Sequence, residues 1–173
     1  RLLASAGANG TVFFRDPGAP DWTLSWLNNV GPAPGLAALT AIWTGRRWVV
    51  GTNVGVFHSA LGQSPWEFSD PGLGTLFTVS FALRGRDLFA SFGRGGGTVV
   101  AWSRDDGATW RELDVLDFAF TQDMTTRGDE LLSARFDGLW RRSVATVSSP
   151  AERAPARLRL ALGGPLPSGT DVR

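Results

Sequence analysis

The sequence predicts an all-β protein assembled from four-stranded antiparallel units. Short runs rich in β-branched and aromatic residues alternate apolar with polar positions, and glycine or proline turn signals recur about every 8 to 12 residues. Tryptophan recurs at Trp22, Trp66 and Trp110, at two equal intervals of 44 residues. An even spacing of this length is the sequence signature of a repeat protein.

The same order of elements precedes each of these tryptophans. An apolar strand is followed by a turn containing glycine, a second apolar strand, and a longer turn that ends at the tryptophan. The predicted strand pairs are 2–5 with 10–14, 49–52 with 55–59, and 88–91 with 98–103. A fourth pair, 131–134 with 138–143, has no closing tryptophan.

Further alternating runs open the later units, at residues 37–44, 76–83 and 115–122. They bring each unit to four strands, and a four-stranded unit repeating at this length is typical of a β-propeller blade.

Residues 1–147 are therefore predicted to hold four blades or partial blades. The first, 1–29, lacks its opening strand, units 35–71 and 76–114 are whole, and 115–147 lacks a clear fourth strand. Because propellers have about 4 to 8 blades, the chain is either a minimal four-bladed ring or, as we expect, part of a larger ring, with missing blades or a partner covering its open edges.

The C-terminal residues differ in composition from the repeats. Residues 148–156 are rich in proline, serine and alanine and are predicted to be a linker. Residues 157–173 are predicted either to add one more strand or to begin a second β-module.

Composition excludes several classes of function. All 17 basic residues are arginine, they are scattered, and 16 acidic residues leave a net charge of +1, so we expect no nucleic-acid partner. No apolar run is long enough to span a membrane as a helix. Without cysteine, and with His58 as the only histidine, no thiolate or multi-histidine metal site is available, and we predict neither a metal nor a cofactor.

One short motif matches a defined pattern. Ser103, Asp105, Gly107, Thr109 and Trp110 fit every fixed position of S-x-D-x-G-x-T-W. Asp105 can accept backbone N–H bonds inside such a turn, and Gly107 can adopt a positive φ.

This octapeptide resembles the Asp-box of BNR-repeat propellers, a group that includes sialidases, sortilin-type receptors and photosystem assembly factors. The resemblance extends over about residues 1–147. It implies a propeller in which the box lies between the third and fourth strands of a blade, away from the central binding face, with a structural role.

The earlier copies of the motif are degenerate. Ser59 and Trp66 keep its two ends, whereas only Trp22 aligns in the first copy. We therefore interpret Trp22, Trp66 and Trp110 as repeat anchors, wedged between successive sheets.

An enzymatic site is harder to find in the sequence. The resemblance to sialidases implies a tyrosine nucleophile, and the chain has no tyrosine. Paired carboxylates could still serve glycoside hydrolysis, with Asp117 and Asp137 as weak catalytic candidates. They belong to an acid-rich stretch that also contains Asp123, Asp129 and Glu130. The alternative interpretation is that these are solvated turn residues.

Trp26, Trp43 and Trp48 raise a second possibility for a binding site. Flat aromatic rings with an indole N–H can stack on sugars, although packing between blades explains most tryptophans in such a fold equally well.

Three functional hypotheses follow. The first is a non-catalytic scaffold or interaction module of a secreted or cell-surface bacterial protein that binds a protein or glycan, with self-association as one route. The second is a glycoside hydrolase of Asp-box propeller type with part of its active site outside this chain. The third, suggested by the resemblance alone, is an assembly or repair factor recruited to a membrane complex.

Overall fold

The computed structural model describes residues 2–6, 9–73, 77–116, 120–145 and 147 of the 173-residue chain. Within them the chain forms strands and turns, and every strand pairing is antiparallel. This confirms the predicted all-β class. The side chains of Ala4, Ser5 and Ala6, and residues 148–173, lie outside the described part, so the predicted linker and terminal strand or module stay predictions.

Four sheets follow one another along the chain, each a simple meander. The first contains β1 (Leu2–Ala6), β2 (Thr11–Arg15) and β3 (Thr23–Trp26). The second contains β4 (Ala38–Trp43), β5 (Trp48–Thr52), β6 (Val56–Ser59) and β7 (Glu67–Ser69). The third contains β8 (Phe77–Arg84), β9 (Asp87–Arg94), β10 (Gly97–Ser103) and β11 (Arg111–Leu116). The fourth contains β12 (Thr121–Arg127), β13 (Glu130–Arg135) and β14 (Gly138–Ser143).

The sheets thus have three, four, four and three described strands. The predicted division of residues 1–147 into partial and whole blades stays a prediction.

The predicted opening strand of the fourth unit, 115–122, is wrong. Val115 belongs to β11 of the third sheet, and the fourth sheet opens with β12, which begins at Thr121. In β12 only Thr121 and Met124 are buried, so the strand is mostly polar and has no regular alternation of apolar and polar residues.

The hydrophobic core lies between consecutive sheets. One cluster joins the first and second sheets, a second joins the second and third, and a third joins the third and fourth. Because the third sheet is covered on both faces, β9 is a nearly continuous apolar run buried along its length.

Alternation along a strand decides which neighbour each residue packs against. In the third sheet Leu88 and Ala101 pack toward the second sheet, whereas Phe89 and Val100 pack toward the fourth. Among the described residues, the first strands of consecutive sheets contact one another, and no comparable contact joins the fourth sheet to the first. The described residues therefore form an open series of sheets and do not show a closed ring.

Candidate functional site

The turn between β10 and β11 is held by its own side chains. Asp105 Oδ1 accepts from the Thr109 amide at 2.8 Å and from Ser103 Oγ at 2.7 Å, while Asp105 Oδ2 accepts from Thr109 Oγ1 at 2.6 Å. The Gly107 amide donates to Ser103 Oγ at 2.9 Å, and Gly107 has a φ of 86°. The turn thus lies between the third and fourth strands of its sheet, and its fixed residues bond to each other.

The environment of Asp105 stabilises its charged form. Burial alone would raise its pKa, but the hydrogen bonds from Thr109 and Ser103 outweigh burial and hold the pKa below its usual value. Both carboxylate oxygens of Asp105 therefore accept hydrogen bonds from within the turn.

The corresponding turn of the second sheet keeps part of this arrangement. Ser59 Oγ accepts from the Leu61 amide at 3.2 Å, as Ser103 Oγ accepts from the Asp105 amide at 3.3 Å. Ser59 Oγ also donates to the Gln63 carbonyl at 2.7 Å. The serine therefore still organises the turn where the aspartate is missing.

The three repeat tryptophans occupy the same place in their sheets but not the same surroundings. Each directly precedes the last strand of its sheet, β3, β7 or β11. Trp66 and Trp110 are 3% and 8% exposed and pack against the preceding sheet, whereas Trp22 is 44% exposed and lies beside the Arg15 guanidinium. Two of the three therefore sit between sheets, and Trp22 lies where no preceding sheet is described.

Within the described residues the acid-rich stretch is divided between the two ends of the fourth sheet. Asp129 and Glu130 lie where β13 begins, whereas Asp137 follows the end of β13. Asp123 pairs with Ala134 and so lies toward the Asp137 end. Asp137 is bound by Arg135 at 3.0 Å. Asp123 accepts from Ser80 Oγ at 2.7 Å.

Asp117, the other weak catalytic candidate, lies outside the described residues. The pairing of Asp117 with Asp137 therefore stays a prediction.

Two of the three candidate stacking tryptophans meet. Trp43 and Trp48 are cross-strand partners in the second sheet, with ring centroids 5.4 Å apart, and with Leu61 they line a groove of about 360 Å³. Trp26 lies in β3 of the first sheet and does not line this groove. In the third sheet Leu83 and Leu88 hold the places of Trp43 and Trp48 and pack into the inter-sheet core.

His58 is buried in β6 and is held as a neutral ring. Burial lowers its pKa; Glu67 opposes this effect, and Arg47, whose Nη1 lies 3.0 Å from Nδ1, adds to it. An imidazole that faces a guanidinium at this distance acts as the hydrogen-bond acceptor.

This environment makes stability depend on pH. The folded pKa lies below the ordinary value of 6.5, so the unfolded chain takes up the proton first and stability falls as the pH drops below about 6.5. We expect the urea midpoint to fall between pH 7.5 and 5.5, and to fall less in His58→Gln. An equal fall of the urea midpoint in wild type and His58→Gln would contradict the assignment of this pH dependence to His58.

The acidic side chains and the histidine are dispersed over the described residues. Nowhere in them do three or more histidine, cysteine, aspartate or glutamate side chains gather as metal ligands would. No membrane-crossing helix is found in the described part of the chain.

Consecutive antiparallel sheets packed face to face define a β-propeller-like, all-β fold. The sequence matches no protein-family model, and no curated protein matches it. Solved structures do match the fold. An ancestral GH74 enzyme superposes with a TM-score of 0.60 at 16% identity, over 79% of this chain and 21% of the enzyme.

Two further structures are similar. The computationally designed Ika4 protein gives a TM-score of 0.56 at 13% identity, over 83% of this chain and 86% of Ika4. A chain of the Nidogen/Laminin complex gives a TM-score of 0.52 at 14% identity, over 83% of this chain and 60% of the complex's chain. The present chain spans about a fifth of the GH74 enzyme, and identities this low show the fold alone.

Proposed function

We propose that this chain is a non-catalytic propeller scaffold, an interaction module of a secreted or cell-surface bacterial protein, and that it associates through the two outward faces of its sheet series. The observation that carries the proposal is that both terminal sheets expose apolar residues at positions that are buried between sheets elsewhere in the same chain.

The outward face of the first sheet has the character of an inter-sheet surface. Leu2 pairs with Arg15 as Leu88 pairs with Ser103, so Leu2 and Leu88 hold corresponding positions. By the same register Phe13 corresponds to Ala101. In the third sheet Leu88, Ala101 and Trp110 are all buried against the preceding sheet. Their counterparts in the first sheet, Leu2 and Trp22, are exposed, and Phe13 is only half-buried.

The outward face of the fourth sheet corresponds to the surface that, in the other sheets, packs against the sheet that follows. Val12, Val56 and Val100 hold one corresponding position in the first three sheets and are fully buried against the sheet that follows. Leu139 holds this position in the fourth sheet and is exposed. The two open faces are therefore the two kinds of surface that pack together inside the chain, which favours a head-to-tail contact between copies.

The comparisons are consistent with an interaction role. One similar chain was crystallised in a complex of nidogen with laminin, which supports a protein as partner. A head-to-tail contact between copies can close into a ring or extend into a polymer.

The oligomeric state tests the proposal. Light scattering after size exclusion should give a mass above the monomer at about 100 µM, because exposed apolar faces of this kind drive association. Trp22→Arg and Leu139→Arg should each shift the mass downward, and an equimolar mixture of the two variants should form a dimer, since each retains one intact face. Val30→Arg, at an exposed apolar residue of a loop, is the matched control and should leave the mass unchanged.

Two outcomes contradict the proposal. One is a wild-type chain that stays monomeric at this concentration. The other is release of reducing ends from oligosaccharides that Asp137→Ala abolishes, which would favour the hydrolase hypothesis.

A further inference from the structure

A charged cleft of about 790 Å³ lies between the hairpin turns of the third and fourth sheets. Its walls come from three turns: the β8–β9 turn, the β10–β11 turn and the β12–β13 turn. Among the residues that the structure describes, two glycines and five charged residues line it, and no apolar side chain does so. The charged residues are Arg84, Arg86, Asp87, Arg104 and Asp129.

Asp87 holds two of the arginines in place. It is buried, and its carboxylate accepts from Arg104 Nε at 3.0 Å and from Arg84 Nη2 at 3.2 Å. The Arg104 guanidinium also lies over the Trp102 ring, 5.4 Å from its centroid. Both guanidinium groups are therefore oriented before any ligand arrives, which reduces the ordering cost of binding.

Arg84 and Arg104 use only some of their N–H groups in the bonds to Asp87 and Asp129. A guanidinium carries five N–H groups and suits bidentate recognition of a carboxylate. Arg104 is 48% exposed, and Arg84 directs Nη1 at Asp129 Oδ1 at 2.9 Å. The Asp129 side chain is 72% exposed, so a ligand carboxylate could replace it at Arg84 at low cost.

Arg86 supplies the third guanidinium, and among the described residues no carboxylate is paired with it. In the second sheet the corresponding residue, Arg46, is paired with Asp106 in the next sheet's turn at 2.7 Å. The residue that corresponds to Asp106 in the fourth sheet is Ala145, which is uncharged. Within the described residues the cleft thus holds three guanidinium groups against two carboxylates.

We propose that this cleft binds carboxylate groups of an acidic polysaccharide. The cleft is polar, and two of its guanidinium groups are already oriented by Asp87. Such a site suits a ligand that carries regularly spaced charged groups and needs no apolar anchor pocket. Most peptide-binding sites add an apolar or aromatic anchor pocket to any charged contact, and among the described residues no apolar side chain lines this cleft. Because the net charge of the chain is only +1, general attraction to polyanions is weak, and binding must depend on the cleft. The proposal is independent of the outward-face contact between copies.

Calorimetry with polygalacturonate tests this site at low salt. We expect saturable binding, and an affinity about tenfold weaker for Arg86→Glu, because one charge-assisted bond is replaced by repulsion. Arg141→Glu, at an exposed arginine of β14, makes the same charge change elsewhere and should stay within about twofold of wild type. Fully methyl-esterified polygalacturonate, which lacks the charges, should not bind.

The remaining outcomes overturn the proposal. Equal weakening by Arg86→Glu and Arg141→Glu would mean that only overall charge matters. Equal binding of the methyl ester, no binding of polygalacturonate, or tighter binding of poly-L-glutamate or single-stranded DNA would each exclude an acidic polysaccharide as the ligand of this cleft.

Discussion

Replacement of Trp110 by alanine is expected to lower the free energy of unfolding by about 4 kcal/mol, in the range usual for large aromatic side chains removed from a core. The Trp110 ring is stacked on Phe81 with centroids 6.3 Å apart and meets the Phe92 ring edge-on at 5.2 Å. It belongs to the cluster that joins the second and third sheets. Its loss opens a cavity at an interface on which two sheets depend.

The matched controls separate packing from hydrogen bonding. Trp110 Nε1 is buried without a hydrogen-bond partner among the described residues, so Trp110→Phe keeps an aromatic ring and removes an unsatisfied donor. We expect it to cost less than about 1.5 kcal/mol. Trp66→Ala should approach the cost of Trp110→Ala, because Trp66 is equally buried and its Nε1 donates to Ser25 Oγ at 3.0 Å.

The same substitution at Trp22 should behave differently. At monomer concentrations Trp22→Ala is expected to cost less than about 1 kcal/mol, since Trp22 is 44% exposed and belongs to none of the three core clusters. Guanidinium chloride unfolding monitored by circular dichroism gives the free energy of unfolding of all four tryptophan variants. Equal costs at Trp22 and Trp110 would contradict the assignment of Trp22 to an uncovered face.

The behaviour of Trp22 shows what a repeat pattern can and cannot predict. The 44-residue interval places each tryptophan before the last strand of its sheet, because that position depends on the local order of strands and turns. Burial depends in addition on a neighbouring sheet, and local sequence does not report whether that neighbour is present. Trp66 and Trp110 are buried between described sheets, whereas for Trp22 the interpretation as a wedge stays a prediction.

The charged cleft was missed for a related reason. Arg84, Arg104 and Asp129 are far apart in sequence and come from three different turns, so no spacing within one segment connects them. Packing of the third sheet on the fourth brings them together. The acid-rich stretch shows the opposite effect, because Asp129 and Asp137 are close in sequence but a whole strand, β13, lies between them.

The turn at Ser103–Trp110 could be predicted well, because all of its hydrogen bonds are local. Asp105→Ala is expected to lower the free energy of unfolding by about 2 kcal/mol. The substitution removes the acceptor for the Thr109 amide, Thr109 Oγ1 and Ser103 Oγ, and a side-chain acceptor of this kind contributes about that amount. Asp105→Asn keeps one acceptor oxygen and should cost about half as much.

The lowered pKa of Asp105 adds a dependence on pH that distinguishes it from other acids. Because its folded pKa lies below the ordinary 3.8, its charged form stabilises the fold above about pH 4, and this contribution is lost as the pH falls through the folded pKa. The free energies of unfolding measured by urea titration at pH 6 and pH 3 should therefore differ more in wild type than in Asp105→Asn. Asp137→Asn removes the charge of an exposed acid with a single arginine partner and should change the difference by less than about 0.5 kcal/mol. If Asp137→Asn flattened the pH dependence as much as Asp105→Asn, the stabilisation would come from general charge, and the hydrogen bonds within this turn would not account for it.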